Sequence, residues 1–159
     1  MGVETVAVIN TPVERAQLYF RHRPTPVTLL SDPECRTHRD FGVPRGEFLP
    51  EGSSEAPQWP YKATIDQFMA ARINPTGELD QPTQPLECNT ILNARQGFQM
   101  EEADHKIFAE HPTQLVGHFL VDAKGIVSWV QIEAPDTPNN LSIFPTVAEI
   151  LAAAELLER

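Results

Sequence analysis

A chain of 159 residues fits a single domain and can bury roughly two-thirds of its unfolded surface, enough for a hydrophobic core. Its 22 acidic against 12 basic side chains give a formal charge of −10, whose average field repels phosphate backbones and anionic lipid, so neither nucleic acid nor a membrane is an expected partner. No apolar run approaches the roughly 20 residues that span a bilayer and no basic n-region precedes an apolar h-region at the amino terminus, so the expected location is the cytoplasm.

Val3 to Ile9 is dense in β-branched residues and apolar beyond Thr5, which predicts a strand buried on both faces, as in a parallel sheet. Thr11-Pro12-Val13-Glu14 supplies a capping hydroxyl, a proline preset for the first helical turn and a glutamate three residues after the cap, predicting a helix from Pro12 to Arg23. Pro24 and Pro26 end it. Val27 to Leu30 reads as a second short strand, and Ser31-Asp32-Pro33-Glu34 opens a second helix that Gly42 closes beyond Phe41. The order so far is β-α-β-α.

Between Pro44 and Thr113 the pattern breaks down, and eight of the 15 prolines fall there. Within residues 44–113 the expected helices are Thr64 to Ile73 and Glu101 to His111, with a turn at Thr90 to Arg95. The rest is expected to be irregular and to pack over something, since long structureless loops inside compact domains are uncommon. Regular structure returns with Leu115 to Val121, a tight Asp122-Ala123-Lys124-Gly125 connection and Ile126 to Ile132, the pattern of a β-hairpin. A capping box of Thr146 and Glu149 then opens a terminal helix whose Val147, Ile150, Leu151, Ala154 and Leu157 share one face.

Several strings carry a resemblance. Val6 to Ala16, VAVINTPVERA, resembles the segment that follows the active-site helix of redoxins. Leu29 to Pro33 with Phe41-Gly42-Val43 resembles their LLSDP and FGV element, and Gly117 to Asp122 with Gly125-Ile126-Val127 is similar to their hairpin. Together these cover residues 3–43 and 114–157. They resemble the alkyl hydroperoxide reductase/thiol-specific antioxidant family in a peroxiredoxin-like branch with an enlarged middle segment. That resemblance implies an α/β, thioredoxin-like three-layer fold with a mixed central sheet, in one incomplete domain of 159 residues whose first β-α unit would precede Met1.

The family reduces peroxides or disulfides through a cysteine at the amino end of that first helix, where the helix dipole stabilises its thiolate. No residue here maps onto that motif, and the hairpin is preceded by Val116, Gly117 and His118 where the family usually has a proline. The chain is therefore expected to be catalytically incomplete, with a thiol reductant as partner only if it is active. The competing expectation is a non-catalytic thioredoxin-like binding or dimerisation module. A sheet without its first strand has an exposed apolar edge beside Val3 to Ile9, predicting marginal stability or homo-oligomerisation through it.

Cys35 and Cys88 form neither a CxxC pair nor a zinc pattern and read as reduced thiols. Cys35 is the best surviving nucleophile, in the first turn of the second helix with Arg36, His38 and Arg39 near it, although Glu34 opposes a thiolate and the structural reading is favoured. His118 reads as a satisfied core or edge histidine. Asp104, His105, Glu110 and His111, with Glu101, read as a solvated helix surface before a metal site. Trp59-Pro60-Tyr61 and Trp129 read as anchors of the insertion. No GxGxxG, GxxxxGK[ST], HExxH or GxSxG string occurs, and no cofactor or metal is expected.

Overall fold

The computed structural model describes residues 2–110 and 114–157, a mixed α/β arrangement. Strand β1 (Val6–Ile9), helix α1 (Val13–His22) and strand β2 (Thr28–Ser31) form a β-α-β unit, its strands parallel from Val6 opposite Thr28 to Ile9 opposite Ser31. Pro12, with φ −58°, caps α1, and its carbonyl accepts from the Arg15 and Ala16 N–H groups. The helix thus opens a residue later than expected, so the Thr11 hydroxyl lies outside the position from which it would reach the first turn, and it caps nothing.

Helix α2 (Arg36–Asp40) also starts later than expected. The Asp32 carboxylate accepts from Arg36 N at 3.0 Å and Thr37 N at 2.6 Å, while Cys35 sits at the cap itself. Gly42, at φ +68°, follows the helix in a conformation that a side chain disfavours.

The insertion is more ordered than its prolines suggest. It holds a short parallel pair, β3 (Glu47–Phe48) and β4 (Lys62–Ala63), then α3 (Ile65–Ala70), a 3₁₀ turn at Pro75–Gly77, α4 (Pro85–Arg95) and α5 (Glu102–Glu110). Where a turn at Thr90 to Arg95 was expected, α4 runs eleven residues. Pro85 occupies its first turn without wasting a donor, and the Gln84 side chain accepts from Leu86 N at 3.2 Å. Its buried Cys88 joins Ile73 and Leu79 in a small core, against which Ile91, Leu92 and Leu141 pack. The expected end of α5 at His111 lies outside the described residues.

The hairpin forms as expected from β5 (Gly117–Val121) and β6 (Val127–Ile132), antiparallel with Leu120 opposite Trp129. Asp122 makes the turn, its carboxylate accepting from Lys124 N and Ile126 N at 2.8 and 2.9 Å. The Thr146–Glu149 capping box opens α6 (Val147–Glu155), whose Ala153 and Ala154 pack on Leu120 beside Trp129 and Ile150.

One expectation fails at the level of the sheet. The strands form three separate two-stranded sheets in place of one mixed sheet, because β1 bonds only to β2 and β5 only to β6 among the described residues. Nor is β1 covered on both faces: Val6 is 45% exposed, and no residue of β1 or β2 is fully buried. Among the described residues no helix is long and apolar enough to cross a membrane.

Candidate functional site

The carboxyl ends of β1 and β2 gather most of the chemistry. In open α/β sheets the loops leaving those ends are where ligands bind, because strand ends and helix starts present free backbone groups together. Here β1 runs into Asn10-Thr11, and β2 into Asp32 and Cys35.

Cys35 is 1% exposed and takes a left-handed backbone, φ +52° and ψ +35°. Burial pushes its thiol pKa up, and Asp32 pushes it further. Arg45, Arg39 and a hydrogen bond with the Asn10 side chain oppose this without reversing it. The thiol is thus held protonated and shielded, whereas a nucleophilic cysteine must be ionised and reachable. Cys35 stands at the cap of α2 and not in the first turn where the sequence places it, and burial outweighs the helix end. Cys88 lies in the core of the insertion, its thiol also pushed up by burial. Neither forms a disulfide among the described residues.

A second feature lies beside the first: an open cavity of about 410 Å³ between α1, α4 and α5. Ile9, Asn10 and Thr11 from the end of β1 meet Arg15, Ala16, Tyr19 and Phe20 of α1. Asn89 and Asn93 of α4, with Phe98, Met100, Asp104 and Ile107, close the other side. Tyr19 stands edge-on to Phe20 and Phe98, with centroids 5.2 and 5.1 Å apart. The wall therefore offers ring edges and faces together.

Arg15 organises this wall. Its Nε donates to Asp104 Oδ1 at 2.5 Å, Nη2 donates to Asp104 Oδ2, and Nη1 reaches Glu101 Oε2 at 3.1 Å. The guanidinium carbon lies 5.5 Å from the centre of the Phe98 ring. Burial pushes the Asp104 carboxyl up, but the Arg15 hydrogen bonds, the Glu101 N–H and the nearby charges bring it below its ordinary value, so it stays ionised. Asp104 is therefore turned inward onto a half-buried cation, which corrects its reading as solvated surface; His105 and Glu101 remain exposed. Arg15 escaped the sequence reading because its partners are nearly ninety positions away and no local pattern marks them.

The remaining candidates fall where they were expected or nearby. His118 Nδ1 lies 3.1 Å from Gln131 Oε1, its directly opposite neighbour, and the ring tilts against Phe144. Trp59 Nε1 donates to the Ala134 carbonyl at 2.7 Å, tying the insertion to the chain just beyond β6. Trp129 packs instead with Leu120 under α6, so only the first of the two tryptophans holds the insertion in this way. Among the described residues no three histidine, cysteine or carboxylate side chains converge as metal ligands.

Compared with family models, curated proteins and solved structures, the chain matches none.

Proposed function

We propose that the chain is framework of a peroxiredoxin-like domain of the alkyl hydroperoxide reductase/thiol-specific antioxidant family. In this reading β1, β2, β5 and β6 belong to one thioredoxin-like sheet, and the redox thiol is neither Cys35 nor Cys88. The observation that carries it is the uncovered parallel pair. Parallel strands occur almost only where both faces are buried, yet β1 and β2 have no fully buried residue, and β1 and β5 each bond on one side alone. A further strand between β1 and β5 would pair both open edges and bring the two sheets together. The β-α-β unit before the insertion and the hairpin-helix after it have the order this requires.

A peroxide assay with dithiothreitol tests the chemical half. The 159-residue chain should consume hydrogen peroxide no faster than buffer. A protein that also carries a strand and a cysteine-containing helix encoded upstream should turn it over, with a rate that Cys35→Ser leaves unchanged. Turnover by the chain alone, lost in Cys35→Ser, would overturn the reading, as would an upstream frame with no such cysteine.

The second reading is a non-catalytic binding or dimerisation module, favoured by the shielded state of both thiols together with half-exposed apolar strand residues such as Val6 and Val130. Turnover separates the two: a protein that also carries the upstream segment and associates without consuming peroxide supports the second reading, and peroxide turnover by it counts against that reading.

A further inference from the structure

The cavity between α1, α4 and α5 has no role in the redoxin reading, and it has the build of a small-molecule site. Its volume, about 410 Å³, falls in the range of pockets that enclose metabolite-sized ligands, and it opens at the carboxyl end of a parallel strand. The composition of its wall defines what it could hold.

Charge is the first filter. Arg15 is the cation of this wall, and its Nε and both terminal nitrogens already donate to Asp104 and Glu101. Both Asp104 oxygens are taken by the same guanidinium. Among the described residues that line the cavity Arg15 is the one cation, and its two carboxylate partners with the overall charge of −10 disfavour a phosphate or carboxylate there. Phe98 already faces the guanidinium, so a ligand cation would compete with Arg15 for that ring. An uncharged ligand suits this self-neutralised wall.

Shape and hydrogen bonding narrow the class further. Tyr19, Phe20 and Phe98 present ring edges and faces at stacking distance from one another, which accept a flat π-system. Asn89 and Asn93 stand one helical turn apart on α4 and both line the cavity, so each can offer a carboxamide donor and acceptor. Among the described residues the Asn89 amide is held only by a 3.8 Å contact to Met100 Sδ, a weak acceptor that a better one displaces. In the same wall the Thr11 Oγ1 is buried with no hydrogen-bond partner, the hydroxyl that sequence alone would have assigned to capping α1. A buried polar atom without a partner is unfavourable, and a ligand atom that pairs with it is favoured.

We infer that this cavity binds an uncharged, planar heteroaromatic molecule of one or two rings bearing a lactam or carboxamide edge. The ring lies against Tyr19 and Phe98, and the amide edge pairs with Asn89 and Asn93. The inference is independent of the redoxin reading and survives its failure, because none of these residues takes part in thiol chemistry.

Nitrogen-15 NMR of the whole chain tests it, with quinazolin-4-one as the neutral lactam probe and benzoate as the flat anion. Quinazolin-4-one should shift the side-chain amide signals of Asn89 and Asn93 with a Kd of about 1 mM or tighter, the strength expected of a fragment this small. Benzoate should leave them unmoved. Asn89→Ala with Asn93→Ala should weaken binding about tenfold, the loss expected for one or two hydrogen bonds, with helix content by circular dichroism unchanged. Should that pair disturb the helix, Asn89→Ala alone, at an exposed position, carries the same comparison. Absence of shifts at those amides up to about 10 mM, equal binding of benzoate, or full affinity in a folded Asn variant would overturn the inference.

Discussion

Gly117 opens β5, and its packing explains why the residue is small. A Cβ built there would lie 2.6 Å from the Phe119 ring and 2.9 Å from Val43 Cγ2, while Phe119 is itself fixed edge-on against Phe41 at 4.9 Å. The glycine lets the start of β5 press against the chain that leaves α2. Gly117→Ala should therefore lower stability by about 1–3 kcal/mol, the usual penalty of overpacking, and urea denaturation measures it. Glu133 is the other exacting residue. It is 6% exposed, and its two oxygens accept from Val116 N at 3.0 Å and Ser142 N at 2.5 Å, joining the start of β5 to the loop before α6. Burial pushes its carboxyl up; the two backbone N–H groups and His118 oppose this incompletely. A carboxyl raised in the folded state favours folding fully below its unfolded pKa, and that contribution is lost as pH rises through the folded pKa. Stability should accordingly fall as pH climbs out of the acid range, and Glu133→Gln should flatten that slope. It should also cost about 1–3 kcal/mol, since a carboxamide offers one acceptor oxygen where the backbone asks for two. Denaturant melts of both proteins across the acid range check the sign, and an unchanged slope in the variant would exclude Glu133 as its source.

Among the elements, most local signals were legible in the sequence, the starts of α1 and α2 excepted. The Thr146–Glu149 capping box, the Asp122–Gly125 turn and the proline stops after α1 involve residues within a few positions of each other, and each forms as read. Elements that depend on distant partners were not. Helix α4 was shortened to a turn, although Gln84-Pro85 is a usable start signal, because the proline density around it suggested irregular chain. Its apolar side chains pack against Leu141, far along the chain, which no window of local sequence contains. The Arg15–Asp104 pair was invisible for the same reason. Cys35 too is dominated by burial, which only the folded chain supplies. Trp59 is the exception among long-range contacts, since a tryptophan in a proline-rich segment marks its own anchor. Trp59→Phe should keep the ring but remove the Nε1 hydrogen bond to Ala134, costing about 1 kcal/mol. Limited proteolysis should then cut the exposed stretch from Glu51 to Gln58 faster than in the parent, while the hairpin stays protected. Equal cutting rates would mean that the insertion is held elsewhere.

At the scale of the whole molecule, the strands are left incompletely paired. Three two-stranded sheets is an uneconomical way to satisfy backbone, because among the described residues β1, β2, β5 and β6 each pair with one strand alone. An isolated two-stranded ribbon is marginal in water, and the β1–β2 pair has only partly covered residues to hold it. Val6 at 45% exposure lies on the strand whose free side the proposed sheet would fill. In a solution of the chain alone the same side is available to a second copy, which can offer its own open strand. Association would bury apolar surface and pair free N–H and C=O groups together, so folding and association become linked. The melting temperature should then rise with protein concentration, and sedimentation should show a mass that grows over the same range. Val6→Lys places a charge on the exposed face of that strand, where natural edges use lysine to discourage pairing. It should abolish the concentration dependence while changing the stability of the dilute protein by no more than about 0.5 kcal/mol. A sharp transition at one temperature across all concentrations, with the mass of a single chain, would show that the open strands are stable as they stand, and would remove the main support for a further strand between β1 and β5.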